Sequence, residues 1–268
     1  MRVSIHVATK DRFTELALLL ASLREQTFKD WDLVIVDGSK PEPAIARKFI
    51  QDILNRIRYE GHGGQYEIED YPLGVCEARN YAIEKDEFKN PLICRIDDDS
   101  IVNPDYLERL YGLINSNDKI GAVGGIVPLY GMQEIFRPLD KVKPIFNRVE
   151  MVDGEPRFAD DGWYSYEPAV LKSHHLRSSF MFRRDVAIKI GMFCRDYGVI
   201  GFREETDFCL KMLMEGYELW TDTGAIAWHM QCHSGGCRRA DYMQQVQIGN
   251  ELFTKRVKEW IQSGKLAL

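Results

Sequence analysis

Three consecutive aspartates, Asp97, Asp98 and Asp99, end the apolar run PLICRI at residues 91–96. Adjacent carboxylates repel one another, so such a triplet has two physical outcomes. Either the side chains splay into water as an acidic turn, or a cation draws them together. Side chains alternate along a strand, so Asp97 and Asp99 can face one ligand while Asp98 faces elsewhere. Hard divalent cations prefer oxygen, and Mg2+ often keeps only one or two carboxylates, with water and substrate phosphates completing its shell. The position at a strand exit favours that metal and phosphate role over the solvated turn.

His229 follows the apolar stretch AIAW and also sits at a strand exit. A neutral imidazole there could complete an aspartate-bound cation site. The cluster His229, Cys232, His233 and Cys237 invites a zinc reading, but its H-x2-C-H-x3-C spacing departs from the paired zinc signatures. The segment GFREETDFCLKM holds Glu204, Glu205 and Asp207. Acids in a first helical turn favour the helix dipole. They could equally supply a general base, because crowded carboxylates raise one another's pKa. Arg79 and Asn80 fall on an early turn of the helix opened by GVCEARN. The fixed donor fork of Arg79 suits a phosphate or a base edge, though it could be an ordinary surface arginine. Asp37, in IVDGS, could accept from a nucleobase or ribose, or simply start a turn.

These residues need elements to hold them. The 268 residues suffice for one large domain or two small ones. With 45% hydrophobic and 28% charged residues the composition is that of an ordinary soluble protein. A net charge of −6 without a basic run argues against nucleic acid as a partner. No apolar stretch reaches membrane-spanning length, and residues 1–10 read as a first strand rather than a secretory signal. The six cysteines lie mostly in apolar segments, as expected in a reducing cytoplasm. Peripheral membrane association and a homo-oligomer stay open.

Strand and helix patterns alternate through the first half. RVSIHVA is a β-branched run, followed by a helix from about residue 12 to 25. DLVIV and YEIED read as strands, residues 43–57 and the stretch after Gly74 as helices, and PLICRI as a fourth strand. NPDYLERLYGLI predicts a helix with Asn103 as N-cap and Pro104 at its first position, and AVGGIVPLY a further strand. The alternation predicts an α/β fold, a doubly wound and mostly parallel sheet with helices on both faces. Such sheets bind ligands beyond the carboxyl ends of their strands. Thr9 to Arg12, Asp37 and Asp97 to Asp99 all fall at such ends. Residues 131–177 form a long aromatic excursion in which Trp163, Tyr164 and Tyr166 could wall a second binding site or serve only as local core. SSFMFRRDVAIKIG and EETDFCLKMLMEGYEL read as helical units stopped at Gly191 and Gly216, and residues 240–261 as a last helix.

Taken in order, ATKDR, VIVDGS, GVCEARN, RIDDDS, SSFMFRRD, GFREETDFCLK and AIAWH resemble the family 2 nucleotide-sugar glycosyltransferases. The resemblance runs from residue 8 to 229 and implies a single domain of GT-A fold. Residues 1–127 would be its nucleotide-binding half and 128–268 its acceptor-binding and catalytic half. It implies an inverting transfer of one sugar from a nucleoside diphosphate sugar, often UDP-linked, to a carbohydrate or lipid-linked acceptor, with Mn2+ or Mg2+. Thr9 and Arg12 would line the nucleotide pocket, Asp37 would meet the base, and Arg79 with Asn80 would lie toward the base or diphosphate. Asp97 and Asp98 would lie near ribose and metal, Asp99 would bind the metal, and His229 would add a metal or diphosphate contact. The family's usual Glu-Asp pair is Glu204-Glu205 here, which puts Glu205 in the base position with Glu204 and Asp207 as alternatives. Lys10-Asp11 and Ser178-Ser179 stand where the family commonly has Asn and Gly. The Gln-x-x-Arg-Trp motif of processive synthases does not occur. Two other classes fit parts of the pattern: a non-catalytic nucleotide-sugar binding protein and an Asp-x-Asp phosphotransferase.

Overall fold

The computed structural model describes residues 1–69, 74–132, 136–142 and 144–268. Residues 70–73, with the end of the expected third strand and the Pro72-Leu73 lead-in to the following helix, lie outside that set, as do four residues of the 131–177 excursion.

The β-branched runs pair as expected. β1 (Val3–Thr9) lies parallel to β2 (Trp31–Asp37), in register from Val3 opposite Trp31 to Thr9 opposite Asp37. β3 (Gly64–Ile68) extends the sheet beyond β2, and β4 (Leu92–Arg95) flanks β1 on the other side, both parallel. Then the direction changes. β10 (Phe180–Arg183) runs antiparallel between β4 and β6 (Ile120–Ile126). β11 (Glu218–His229) returns parallel to β6 and carries β5 (Ser100–Val102) and β9 (Val170–Ser173), both antiparallel. The order is β3-β2-β1-β4-β10-β6-β11-β5, with β9 also on β11, and β7 (Val149–Val152) pairs with β8 (Glu155–Phe158) as a separate hairpin. The sheet is thus mixed in its second half, and strands from both sides of residue 127 share it.

Alternation divides the core. Val3, Ile5 and Val7 point to one face, where α1 (Phe13–Arg24), α2 (Lys48–Tyr59) and α4 (Tyr106–Ile114) cover them. Phe180 and Phe182 point to the opposite face, against α3 (Val75–Lys85), α5 (Arg184–Lys189), α6 (Glu204–Met214) and α7 (Tyr242–Gln262). His6, on that second face of β1, meets Asp86 at 3.1 Å, and Asp86 also pairs with Arg184.

Three expectations need correction. SSFMFRRDVAIKIG is not one helical unit: its FMFR portion supplies β10, and only Arg184–Lys189 is helical. A four-residue apolar run buried on both sides carries no period that separates strand from helix. Asn103 does not cap α4. The helix begins at Tyr106, and the Asn103 side chain accepts instead from Trp228 Nε1 at 2.9 Å. The helix expected over 43–57 splits into a 3-10 turn at Ala44–Ala46 and α2, because Arg47 is extended.

Gly125 sits where β6 meets the irregularity of β11 between Thr221 and Ile226. A Cβ there would lie 2.0 Å from the Ala225 carbonyl oxygen, a backbone atom that cannot swing away. Gly125→Ala should destabilise the fold by about 2 kcal/mol or more, as overpacking against fixed backbone does, read as a lower denaturant midpoint.

Candidate functional site

The acidic turn leaves β4 through Ile96, and each aspartate meets at least one arginine, with Asp98 and Asp99 sharing Arg12. Asp97 Oδ1 accepts from Arg95 Nη2 at 3.0 Å and Arg79 Nη2 at 3.2 Å. Burial pushes its carboxyl up, but Arg95, Arg79 and His229 outweigh that and hold it down at about 2. Asp98 turns the other way. It accepts from Thr9 Oγ1 at 2.9 Å and Arg12 Nη1 at 2.8 Å. Burial drives it up to about 7 against the pull of Arg12, with Asp99 adding to the rise. Asp99 meets Arg12 at 3.0 Å, His229 Nε2 at 3.4 Å and the Cys232 backbone N–H at 3.2 Å. Ser179, where glycine is common in the resembling family, accepts from the Asp97 backbone N–H at 3.4 Å.

Asp97, Asp99 and His229 each present a ligand atom within 4.8 Å of the others. Two carboxylates and an imidazole suit Mn2+ or Mg2+, with open positions left for phosphate oxygens. His229 Nδ1 accepts the Gln231 N–H at 3.0 Å, which leaves the ring proton on Nε2, facing Asp99. The carboxylates therefore fit a cation directly, and His229 joins them through Nε2 only by exchanging tautomer and giving up Gln231. Cys232 donates instead to Glu15 at 3.2 Å, and among the described residues no zinc-like group forms around it.

The acids at the head of α6 diverge. Glu204 is fully buried, pairs with Arg79, and accepts from Arg95 Nη1 at 3.1 Å. Glu205 keeps 23% of its side chain exposed, with the two arginines at 3.8 and 3.9 Å. Asp207 lies on the core side, accepting from Tyr197 at 3.1 Å and Arg256 at 2.7 Å. Arg95, buried within β4 and stacked 5.1 Å over Phe180, is a functional neighbour that the sequence reading passed over. An arginine inside an apolar strand was the available signal, since such a charge is buried only with a partner.

A cavity of about 910 Å³ joins these groups. Thr9, Arg12, Arg79, Asp97 to Asp99, Glu204, Glu205 and His229 line it, and Asp37, Asn80 and Asp207 do not. Asp37 starts a turn: its carboxylate accepts from Ser39 N and Ala44 N at 2.8 and 2.5 Å and from the Tyr66 hydroxyl. Asn80 clasps the backbone of Phe193 at both ends, at 2.8 and 3.0 Å. Asp11, at φ 55°, ties the β1 exit to that of β2 by accepting from Lys40 N at 2.9 Å. Of the three aromatics, Trp163 reaches the cavity and meets His229 edge-on at 6.0 Å. Tyr166 is core against Phe146, and Tyr164 stacks on Arg137. The segment after β11 closes over the β1 exit, where Gly236 N donates to Lys10 O at 2.7 Å and Arg12 donates to Ser234 O at 3.1 Å. A Cβ on Gly235 or Gly236 would collide with Arg12, at 2.7 or 2.8 Å.

The family model described as Glycosyl transferase family 2 matches residues 4–205. No curated protein matches the chain. Among solved structures, GalNAc-T7 with UDP, GalNAc and Mn2+ is similar at a TM-score of 0.65 and 12% identity, over 85% of this chain and 43% of that one. The mannosyltransferase PcManGT from Pyrobaculum calidifontis, in complex with GDP-Man and Mn2+, is similar at 0.58 and 16% identity, over 85% of this chain and 56% of that one. TarS from S. aureus is similar at 0.55 and 15% identity, over 85% of this chain and 37% of that one. At such identities the likeness establishes the fold, which is GT-A. The chain spans 37% of the TarS chain, 43% of the GalNAc-T7 chain and 56% of the PcManGT chain. Among the described residues no helix is long and apolar enough to cross a membrane.

Glu204→Ala leaves the two buried cations Arg79 and Arg95 with Asp97 as their one close carboxylate and should cost about 3–5 kcal/mol of stability. Glu205→Ala should cost about 1 kcal/mol or less, since its carboxylate stands open to the cavity. Denaturant unfolding of the pair checks this, and equal losses would contradict the inward and outward placement.

Proposed function

The chain belongs to glycosyl transferase family 2, and on that premise we propose that it transfers one sugar from a nucleoside diphosphate sugar to an acceptor hydroxyl. In our reading the donor is UDP-linked, the anomeric carbon inverts, and the acceptor is a carbohydrate or lipid-linked molecule met in the cytoplasm. The observation that carries the reading is that Glu205 opens onto the same cavity as the convergent Asp97, Asp99 and His229. UDP accompanies GalNAc-T7 and GDP-Man accompanies PcManGT, both with Mn2+, which supports a nucleoside diphosphate donor and a divalent cation.

Asp97 and Asp99, with His229, would hold that cation, which when bound offsets the charge gathering on the departing diphosphate. Thr9 and Arg12 fix Asp98 as the floor of the nucleotide side, while Asp37 and Asn80 act through the backbone they hold. Arg79 is committed to Asp97 and Glu204, so it positions the acids and adds positive potential behind the phosphates. Glu205 takes the proton of the acceptor hydroxyl as its oxygen bonds to the anomeric carbon. The bond from that carbon to the phosphate oxygen breaks, and the diphosphate leaves with the electron pair. Trp163 forms the acceptor wall, because an aromatic face suits the apolar face of a sugar.

A general base contributes roughly 10²- to 10⁴-fold. Glu205→Gln should lower turnover by about that factor while leaving donor affinity intact, with nucleoside diphosphate release and calorimetric donor titration as the two readouts. Near-normal turnover would move the base elsewhere. Donor binding by the wild-type chain without turnover on any acceptor would favour the non-catalytic binding protein.

A further inference from the structure

The acceptor side of the cavity holds a cation that has no carboxylate in direct contact, only the more distant pull of Asp160 and Glu205. Arg203 lines the cavity immediately before Glu204 and Glu205, with a backbone φ of 75° in the left-handed region. A non-glycine residue there is uncommon, and such positions gather at functional sites. Its guanidinium carbon lies 4.2 Å over the Phe158 ring and 5.0 Å over that of Phe202, and its Nε donates to Asn250 Oδ1 at 3.1 Å. No carboxylate among the described residues lies within 4.0 Å of it. Burial works against its charge, and the acid that pulls on it most, Asp160, is already taken by Arg177 at 2.8 Å.

Arg177 faces the same cavity. It stacks 4.0 Å over Trp163, and its Nε is buried with no hydrogen-bond partner. Arg177 and Arg203 repel each other, and His175 beside them is driven down to about 4 by burial, so it contributes no charge of its own near neutral pH. Two half-buried arginines thus share one aspartate in this wall. Beyond Asp160 and Trp163 a second hollow of about 420 Å³ adjoins this wall, lined by Arg137, Lys141, Arg148 and Asp161, and its cations are already paired, Arg137 with Asp161 at 3.3 Å, Lys141 with Asp140 at 3.7 Å and Arg148 with Glu150 at 2.5 Å. All this occurs in a chain whose net charge is −6. Buried charges are retained when something pairs with them, and arginine forks match phosphate and carboxylate oxygens.

We propose that the acceptor is anionic: a phosphate or carboxylate on it docks on Arg203 and Arg177, its body lies against Trp163, and its hydroxyl is thereby delivered to Glu205. The inference rests on the glycosyl-transfer reading of this site and names the acceptor's chemistry.

The test uses the whole chain saturated with UDP and Mn2+, and melting temperature as the readout. UDP with Mn2+ alone reads the donor site. Glycerol 3-phosphate against glycerol, and glucuronate against glucose, then read the acceptor wall and distinguish phosphate from carboxylate. A further rise with at least one charged probe and none with its neutral partner is expected, since a ligand of the folded state raises stability by mass action. Arg203→Gln should weaken the apparent affinity for that probe at least tenfold. Arg177→Gln, on a different segment, should do the same and serves if the first variant fails to fold. Equal response to charged and neutral probes overturns the inference, as does a charged-probe response that survives in both variants. Loss of the UDP and Mn2+ shift in the wild type would instead strike at the donor reading, with the charged-probe arm still readable.

Discussion

The site depends on the neutralisation of an acidic turn that the fold buries. Asp97, Asp98 and Asp99 are consecutive, and two of them are almost wholly removed from water. Burying carboxylates without partners is costly. Arg95 comes from β4 itself, Arg79 from α3 and Arg12 from the β1 exit, so three elements must converge before the turn is tolerable. The placement of β1 beside β4 is what brings Thr9 and Arg12 to Asp98. Asp97 and Asp99 are then left side by side with His229, which β11 carries in from the far part of the sheet.

The same charge balance sorts the acids of α6. Successive helical residues point in different directions, while residues three apart share a face. Glu204 turns inward and becomes the counter-ion of Arg79 and Arg95, which also hold Asp97. Asp207, three residues on, is consumed by Tyr197 and Arg256 in the core behind. Glu205 alone of the three keeps access to the cavity without a close partner. The two arginines therefore link the proposed metal side to the proposed base side, and a disturbance of one should be felt by the other.

The strand-exit logic was legible in the sequence because apolar runs ended in polar residues at each turn of the first half. Thr9, Arg12, Asp97 to Asp99 and His229 do meet in one cavity. The antiparallel strand β10 was not legible, since FMFR is too short for a period and is followed by a helix. The two roles open to Asp37 could not be separated either: only the fold shows that Ser39, Ala44 and Tyr66 occupy its carboxylate. Trp163, Tyr164 and Tyr166 read alike in sequence yet face three environments, because the excursion has no regular period to sort them. Arg177 and Arg203 carried no sequence signal, since a cation is conspicuous only when its surroundings withhold a partner.

The most direct measurement of the central claim is calorimetric titration of UDP into the wild type and into Asp99→Asn, each with and without Mn2+. The account predicts that Mn2+ strengthens UDP binding to the wild type at least tenfold and that Asp99→Asn loses this gain while remaining folded. UDP binding that ignores Mn2+, or a metal-dependent gain that persists in Asp99→Asn, would contradict it and return RIDDDS to an acidic turn balanced by arginines alone.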